Sequence, residues 1–195
     1  MSRYPAVAPL AIGLAIIAGS AAAAEDSYTI DPVHSQPNFE VRHMGYSIQR
    51  GSFGKATGKI TLDRAAKTGS VDVTIDATSI KTIDPRLDKH VQSEDFFNVA
   101  KYPTITFKSN KLIFEGDRVV GVDGELTMIG VTKPVTLTVD NEVCGEHPIN
   151  HKPMCGAQAS ATVKRSEWGM KYGLPRAVGD DVRLIIPIEA YKDAG

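Results

Sequence analysis

The sequence lacks a basic stripe. It holds 22 lysines and arginines against 23 aspartates and glutamates, a net charge of −1, which argues against a nucleic-acid partner held by its phosphates. Beyond residue 24 it has no apolar run approaching the roughly 20 residues needed to span a bilayer, so stable membrane insertion of the mature chain is not expected. Strand–helix repetition is absent, which argues against a parallel sheet. No linker or low-complexity stretch divides residues 25–195, so they read as one domain. The chain has neither a G-x-S-x-G nucleophile elbow nor an H-E-x-x-H metal motif. No cofactor is predicted.

The first 24 residues stand apart from the rest. Arg3 supplies a short positive region, and Ala6 to Ala18 is an apolar run interrupted only by Pro9 and Gly13. Ala22, Ala23 and Ala24 offer a small-residue cleavage site. This is the pattern of a Sec-type signal peptide, residues 1–24, cut after Ala24. No cysteine follows the run, so a lipoprotein anchor has no attachment point. The expected location is the periplasm.

Residues 25–195 are dominated by alternation. Val71, Val73, Ile75 and Ala77 alternate with Asp72, Thr74 and Asp76, and the pattern returns at Val182, Leu184, Ile186, Ile188 and Ala190. Side chains on a strand change faces at every residue, so these are half-buried antiparallel strands. Strands are predicted near 28–30 and 39–44 (one opening strand broken by a turn at 31–34), 51–62, 70–77, 103–109, 111–115, 118–129, 132–142, 157–165 and 182–191. Residues 141–156 read as a polar loop and 166–181 as an irregular one. Asp84-Pro85 is an N-cap and N1 pair opening one or two short helices over 84–97, the second capped by Ser93 or Asp95.

The predicted fold is all-β: an extended eight-stranded antiparallel barrel, lipocalin-like, with one or two short helices in a crossing segment. A barrel of eight strands has an interior that side chains fill or that holds one small ligand. The inward positions here are often Gly, Ala, Val and Thr, which leaves volume and favours a cavity.

Cys144-x2-His147-x3-His151-x3-Cys155 is the sharpest local chemical pattern. Two cysteines and two histidines at short spacings fit a tetrahedral zinc site. In an oxidising compartment, however, two cysteines flanking a loop normally pair, so a Cys144–Cys155 disulfide is the expectation, with no metal and with both histidines facing solvent. The other histidines, His34, His43 and His90, lie near acids and serines, but proximity in sequence does not make a catalytic triad. Trp168, Met170 and Tyr172 alternate and either close a mouth or pack as loop anchors.

Several stretches resemble the YceI-like family of periplasmic, lipocalin-like isoprenoid-binding proteins. They are D-P-V-H-S at 31–35, F-E-V-R-H-M-G-Y-S at 39–47, G-S-F at 51–53, D-K-H-V-Q-S-E-D-F-F-N-V-A-K-Y-P-T-I-T-F at 88–107, and G-E-L-T-M-I-G-V-T-K-P-V-T-L at 124–137. The resemblance covers nearly all of residues 25–195 and implies a YceI-like lipid-binding barrel. Its pore would hold a polyisoprenoid or similar amphiphile, such as an isoprenoid quinone or its precursor, with the polar head near the mouth. Alternation along the matched strands assigns Phe39, Val41, Phe53, Ile105, Phe107, Leu126 and Met128 to the ligand, with Phe96 and Phe97 from the crossing segment. His34, His43, His90 and Trp168 are the mouth or head-group candidates. Leu87 departs from the family, many of whose members have Arg there; Arg86 lies one position earlier.

The expected role is a carrier with no reaction of its own. The alternative is a lipid-directed hydrolase or isomerase using a cavity histidine. Isologous pairing into a homodimer would be ordinary for such a barrel, though nothing in the sequence specifies it.

Overall fold

The computed structural model of the protein describes residues 25–194. The expected signal peptide lies outside the described residues. Eleven strands form in chain order: β1 (Asp26–Ile30), β2 (Asn38–His43), β3 (Ser47–Phe53), β4 (Ala56–Asp63), β5 (Thr68–Asp76), β6 (Ile80–Lys81), β7 (Thr104–Glu115), β8 (Arg118–Met128), β9 (Val131–Glu146), β10 (Pro153–Lys164) and β11 (Val178–Lys192). One α-helix, α1 (Pro85–Gln92), lies between β6 and β7.

Eight of the strands close into an antiparallel barrel in the order β1-β4-β5-β7-β8-β9-β10-β11, with β11 returning to pair with β1. The alternating apolar residues predicted for β5, β7 and β8 point inward, as period two requires: Val73, Ile105, Phe107, Leu126 and Met128 are all buried.

β1 and β2 lie end to end along the same edge of β11, with Ile30 opposite Ala190 and Asn38 opposite Ile185. Beyond this shared edge they diverge. β1 pairs onward with β4, whereas β2 carries a branch, β3 and then β6, beside the barrel. In the gap, the fully buried Ser35 stands in for the missing strand partner of Glu189. Its hydroxyl donates to the Glu189 carbonyl at 3.0 Å and accepts from the Glu189 N–H at 2.9 Å. Ser35→Ala leaves the Glu189 N–H unpaired, while the carbonyl keeps the Asp31 N–H at 2.9 Å, and is expected to cost about 1–3 kcal/mol in a urea unfolding titration.

The closure seam is also tied by Asp193, just past β11. Its carboxylate accepts from Ser27 Oγ at 2.7 Å, Thr29 Oγ1 at 2.6 Å and Lys59 Nζ at 2.9 Å. These donors hold the carboxyl far below the usual carboxylate range, Ser27 contributing most. A carboxyl whose pKa is lowered by folding stabilises above its unfolded value, near pH 4, and loses that contribution as pH falls through the folded value. Asp193→Asn should therefore flatten the acid limb of a stability-against-pH curve below pH 4. An unchanged slope would contradict the assignment.

Several sequence expectations need correction. The single strand predicted over 51–62 breaks at Gly54-Lys55 into β3 and β4, which lie on different parts of the sheet. The two strands at 103–109 and 111–115 are one, β7, with a register irregularity between Lys108 and Lys111. The polar loop at 141–156 shrinks to residues 147–152, because β9 and β10 run on as a paired ladder to Glu146 and Pro153. A single helix forms in the crossing segment. Asp84 caps it by accepting from the Arg86 N–H at 2.8 Å, and Ser93 ends it, its hydroxyl donating to the His90 carbonyl at 2.7 Å. Residues 94–97, where a second helix was expected, form turns. Residues 166–181 open with a 3-10 turn, Arg165–Trp168, and β11 begins four residues early, at Val178.

Candidate functional site

The barrel encloses an apolar cavity of about 460 Å³. That volume lies within the usual range for small-molecule sites, roughly 300–1,000 Å³. Phe39 and Val41 from β2, Phe53 from β3, Ile105 and Phe107 from β7, Leu126 and Met128 from β8, and Phe96 and Phe97 from the crossing segment all line it. Gly156, Ala157 and Ala159 of β10 line it too, and their small side chains leave the bore open.

Glycine sets where the rings lie. Phe39 and Gly51 face each other across β2 and β3, and a Cβ on Gly51 would sit 2.4 Å from Phe39 Cζ. A Cβ on Gly124 would be equally close to Phe107 Cζ. Each ring therefore occupies the space of an absent side chain and lies along the wall. Phe39, Phe53 and Phe97 form one aromatic group, with centroids 5.5–6.5 Å apart.

The polar lining is divided between the two ends. Asn38, His43, Gln49, Arg50 and Thr82 approach the cavity from the branch and the crossing segment. At the other end are Tyr28 and Glu142. Glu142 pairs with Arg64 at 2.7 Å and accepts from the Val119 N–H at 2.8 Å, so its charge is compensated. Burial pushes the Tyr28 hydroxyl above its ordinary value, helped by the nearby Asp26.

Arg165 is the functional-site candidate the sequence reading missed. It lines the cavity and is only 3% exposed. Among the described residues its guanidinium has no carboxylate within ion-pair distance. It donates instead to four carbonyls: Gly179 at 2.7 Å, Met170 and Tyr172 at 2.8 Å, and Val178 at 2.9 Å. Burial pulls its pKa below the ordinary value, against the attraction of Asp180. The signal was present in the sequence: Arg165 continues the inward series Ala157, Ala159, Ala161, Val163. A charge at an inward position is the informative exception.

The histidine candidates separate. His43 lines the cavity. His34 is exposed on the turn, with Nδ1 2.7 Å from Asp31 Oδ2, and does not reach the cavity. His90 does not line it either. Nε2 meets Asp95 at 3.0 Å, and the ring packs edge-on against Phe96 and Tyr172, at 5.2 and 4.9 Å. Trp168 is not a mouth residue. It is 1% exposed, and its indole N–H donates to the Leu126 carbonyl at 3.1 Å, so it packs in the core. Arg86 does not replace the family's arginine: its side chain is 92% exposed and pairs with Asp84, while Leu87 turns into the cavity.

Cys144 and Cys155 face each other across β9 and β10 and form a disulfide. Both sulfurs are thereby unavailable as thiolate ligands. His147 accepts from the Ile149 and Asn150 N–H groups, and His151 pairs with Glu146. The two cysteines of the spacing motif thus share one covalent link, and the two histidines have separate local partners.

A closed eight-stranded antiparallel barrel around an apolar cavity, with polar groups gathered at its ends, is a lipocalin-like architecture with room for one small molecule. Residues 28–190 match the YceI-like domain model, and the chain belongs to that family. It is 38% identical over 176 residues to Protein YceI of Escherichia coli O157:H7, covering 90% of this chain and 91% of that protein. It is 36% identical over 188 residues to a UPF0312 protein of Pseudomonas aeruginosa strain LESB58, covering 95% and 97%. Among solved structures, a Campylobacter jejuni YCEI protein matches with a TM-score of 0.62 at 28% identity, over 74% of this chain and 85% of that one. A polyisoprenoid binding domain from Saccharophagus degradans shares the fold at 16% identity, with a TM-score of 0.66 over 85% and 98%. Among the described residues no helix is long and apolar enough to cross a membrane.

Proposed function

We propose that this protein is a periplasmic carrier or sequestering protein that holds a polyisoprenoid or a similar chain amphiphile, such as an isoprenoid quinone or its precursor, in the barrel. The observation that carries this reading is the cavity itself: an apolar bore with most of its polar lining gathered at the end formed by β2, β3 and the crossing segment. An apolar chain threaded into it gains roughly 25 cal/mol per Å² buried, with no hydrogen bond required along its length. A polar head is left among Asn38, His43, Gln49 and Arg50. The structural neighbour described as a polyisoprenoid binding domain supports the choice of ligand class. The disulfide is consistent with an oxidising compartment, as the expected signal peptide requires.

No observation favours the alternative of a hydrolase or isomerase. His43 is the histidine at the cavity, and no carboxylate among the described residues orients its ring, as general-base chemistry would require.

The reading is tested by titrating delipidated protein with polyprenyl alcohols of increasing length. Affinity should rise with each added isoprene unit until the bore is full and then level off. Affinity independent of chain length would contradict it.

A further inference from the structure

The mouth carries exposed apolar side chains and unpaired positive charge together. The turn joining β2 to β3 presents Met44 and Tyr46, the latter 92% exposed, and Ile48 follows. Beside it, the loop before β11 presents the exposed Tyr172. The two segments are joined: the Met44 N–H donates to the Ala177 carbonyl at 2.9 Å, and His43 pairs with Val178.

The charges on these segments have one sign. Residues 42–50 and 169–177 contain Arg42, Arg50, Lys171 and Arg176 and no aspartate or glutamate. Arg50 pairs with Glu40, but Arg42, Lys171 and Arg176 make no ion pair among the described residues. Acids flank these segments on neighbouring elements: Glu40 pairs with Arg50, Asp95 after α1 meets His90, Asp180 accepts from Ser166 and Asp181 pairs with Lys164, while Glu94 and Glu167 lie close by in sequence. The opposite end of the barrel is mixed in charge: its hairpins carry Asp63, Glu115, Asp117, Glu142 and Glu146 beside Arg64, Lys67, Arg118 and Lys152, and Arg64 and Lys67 pair with Glu142 and Asp117.

We propose that this rim docks the protein on an anionic lipid bilayer. The inference rests on the carrier reading, since a chain lipid must leave a bilayer to enter the cavity. Aromatic and aliphatic side chains enter the headgroup region of an interface while basic residues beside them meet anionic lipid. A second copy of the chain fits the rim poorly. An isologous contact there would set Arg42, Lys171 and Arg176 against their own counterparts.

The test is flotation of the mature protein, residues 25–195, with vesicles of phosphatidylcholine alone or mixed with phosphatidylglycerol. The protein should float with the mixed vesicles, less with the neutral ones, and be released by salt. The variants Met44→Ser/Tyr46→Ser and Arg42→Glu/Lys171→Glu should each bind mixed vesicles about tenfold more weakly. Neither pair lines the cavity, so polyprenyl affinity measured in detergent should be unchanged, which separates a failure of docking from a failure of the carrier reading. Equal flotation by wild type and both variants would overturn the proposal. So would a wild type that ignores both vesicle types while still taking up polyprenyl, and the rim would then face a protein.

Discussion

Arg165→Met is expected to destabilise the protein by about 3–5 kcal/mol, far more than a surface substitution. The guanidinium is the one group that satisfies the carbonyls of Met170, Tyr172, Val178 and Gly179 together, the first two on the segment that leads into β11 and the last two at the start of β11. Methionine fills a similar volume but offers no donor, so each carbonyl that water cannot reach bears its own desolvation cost, about 1–3 kcal/mol. Lysine should recover little, because one point of charge cannot replace a planar fork of five donors. The urea midpoint of both variants checks this, and a midpoint within error of wild type would contradict it. Because Arg165 also packs over the Phe96 ring at 5.8 Å, loosening the segment should disturb the aromatic group of His90, Phe96 and Tyr172 as well.

Ala159→Trp should abolish polyprenyl binding, weakening it by about a hundredfold or more, with little loss of stability. Ala159 is a buried residue on β10 whose side chain faces the bore, opposite Val139 on β9 and Ile186 on β11. An indole in a packed core would cost roughly 1–3 kcal/mol in strain, but in an open cavity it finds space and buries apolar surface instead. The expected pattern is therefore an unfolding midpoint at or near that of wild type, together with lost uptake. A variant that is strongly destabilised would show that the barrel interior is packed and that the carrier reading is wrong.

Much of this barrel can be read from period two alone. The alternation at 71–77, 104–107 and 124–128 places the correct side chains inside, because a strand half buried against a cavity carries its burial in its sequence. The short helix is legible from Asp84-Pro85 for an equally local reason. What was hidden depends on contacts distant in sequence. Nothing near Gly54 says that β3 and β4 part company, because the cause is the shared edge of β11, far along the chain. The loop at 141–156 looked polar because residues 143–146 of β9 are exposed on both faces, where no core imposes alternation. Asn141, at φ +53°, interrupts the register there. The parity then changes, so that Glu142 reaches the cavity and Val143 faces solvent. Trp168 illustrates a different limit: a tryptophan in an irregular loop can serve a mouth or a packed anchor, the latter favoured, and its burial and its bond to Leu126, on β8, decide.

The central claim is tested most directly by mass spectrometry of an organic extract of the protein purified from cells without detergent, with the lipid quantified against the chain. The account predicts about one polyprenyl or quinone-like molecule per barrel, and none in the Ala159→Trp variant. A wild-type protein that carries no such lipid and takes up none of the polyprenyls added to it would contradict the account.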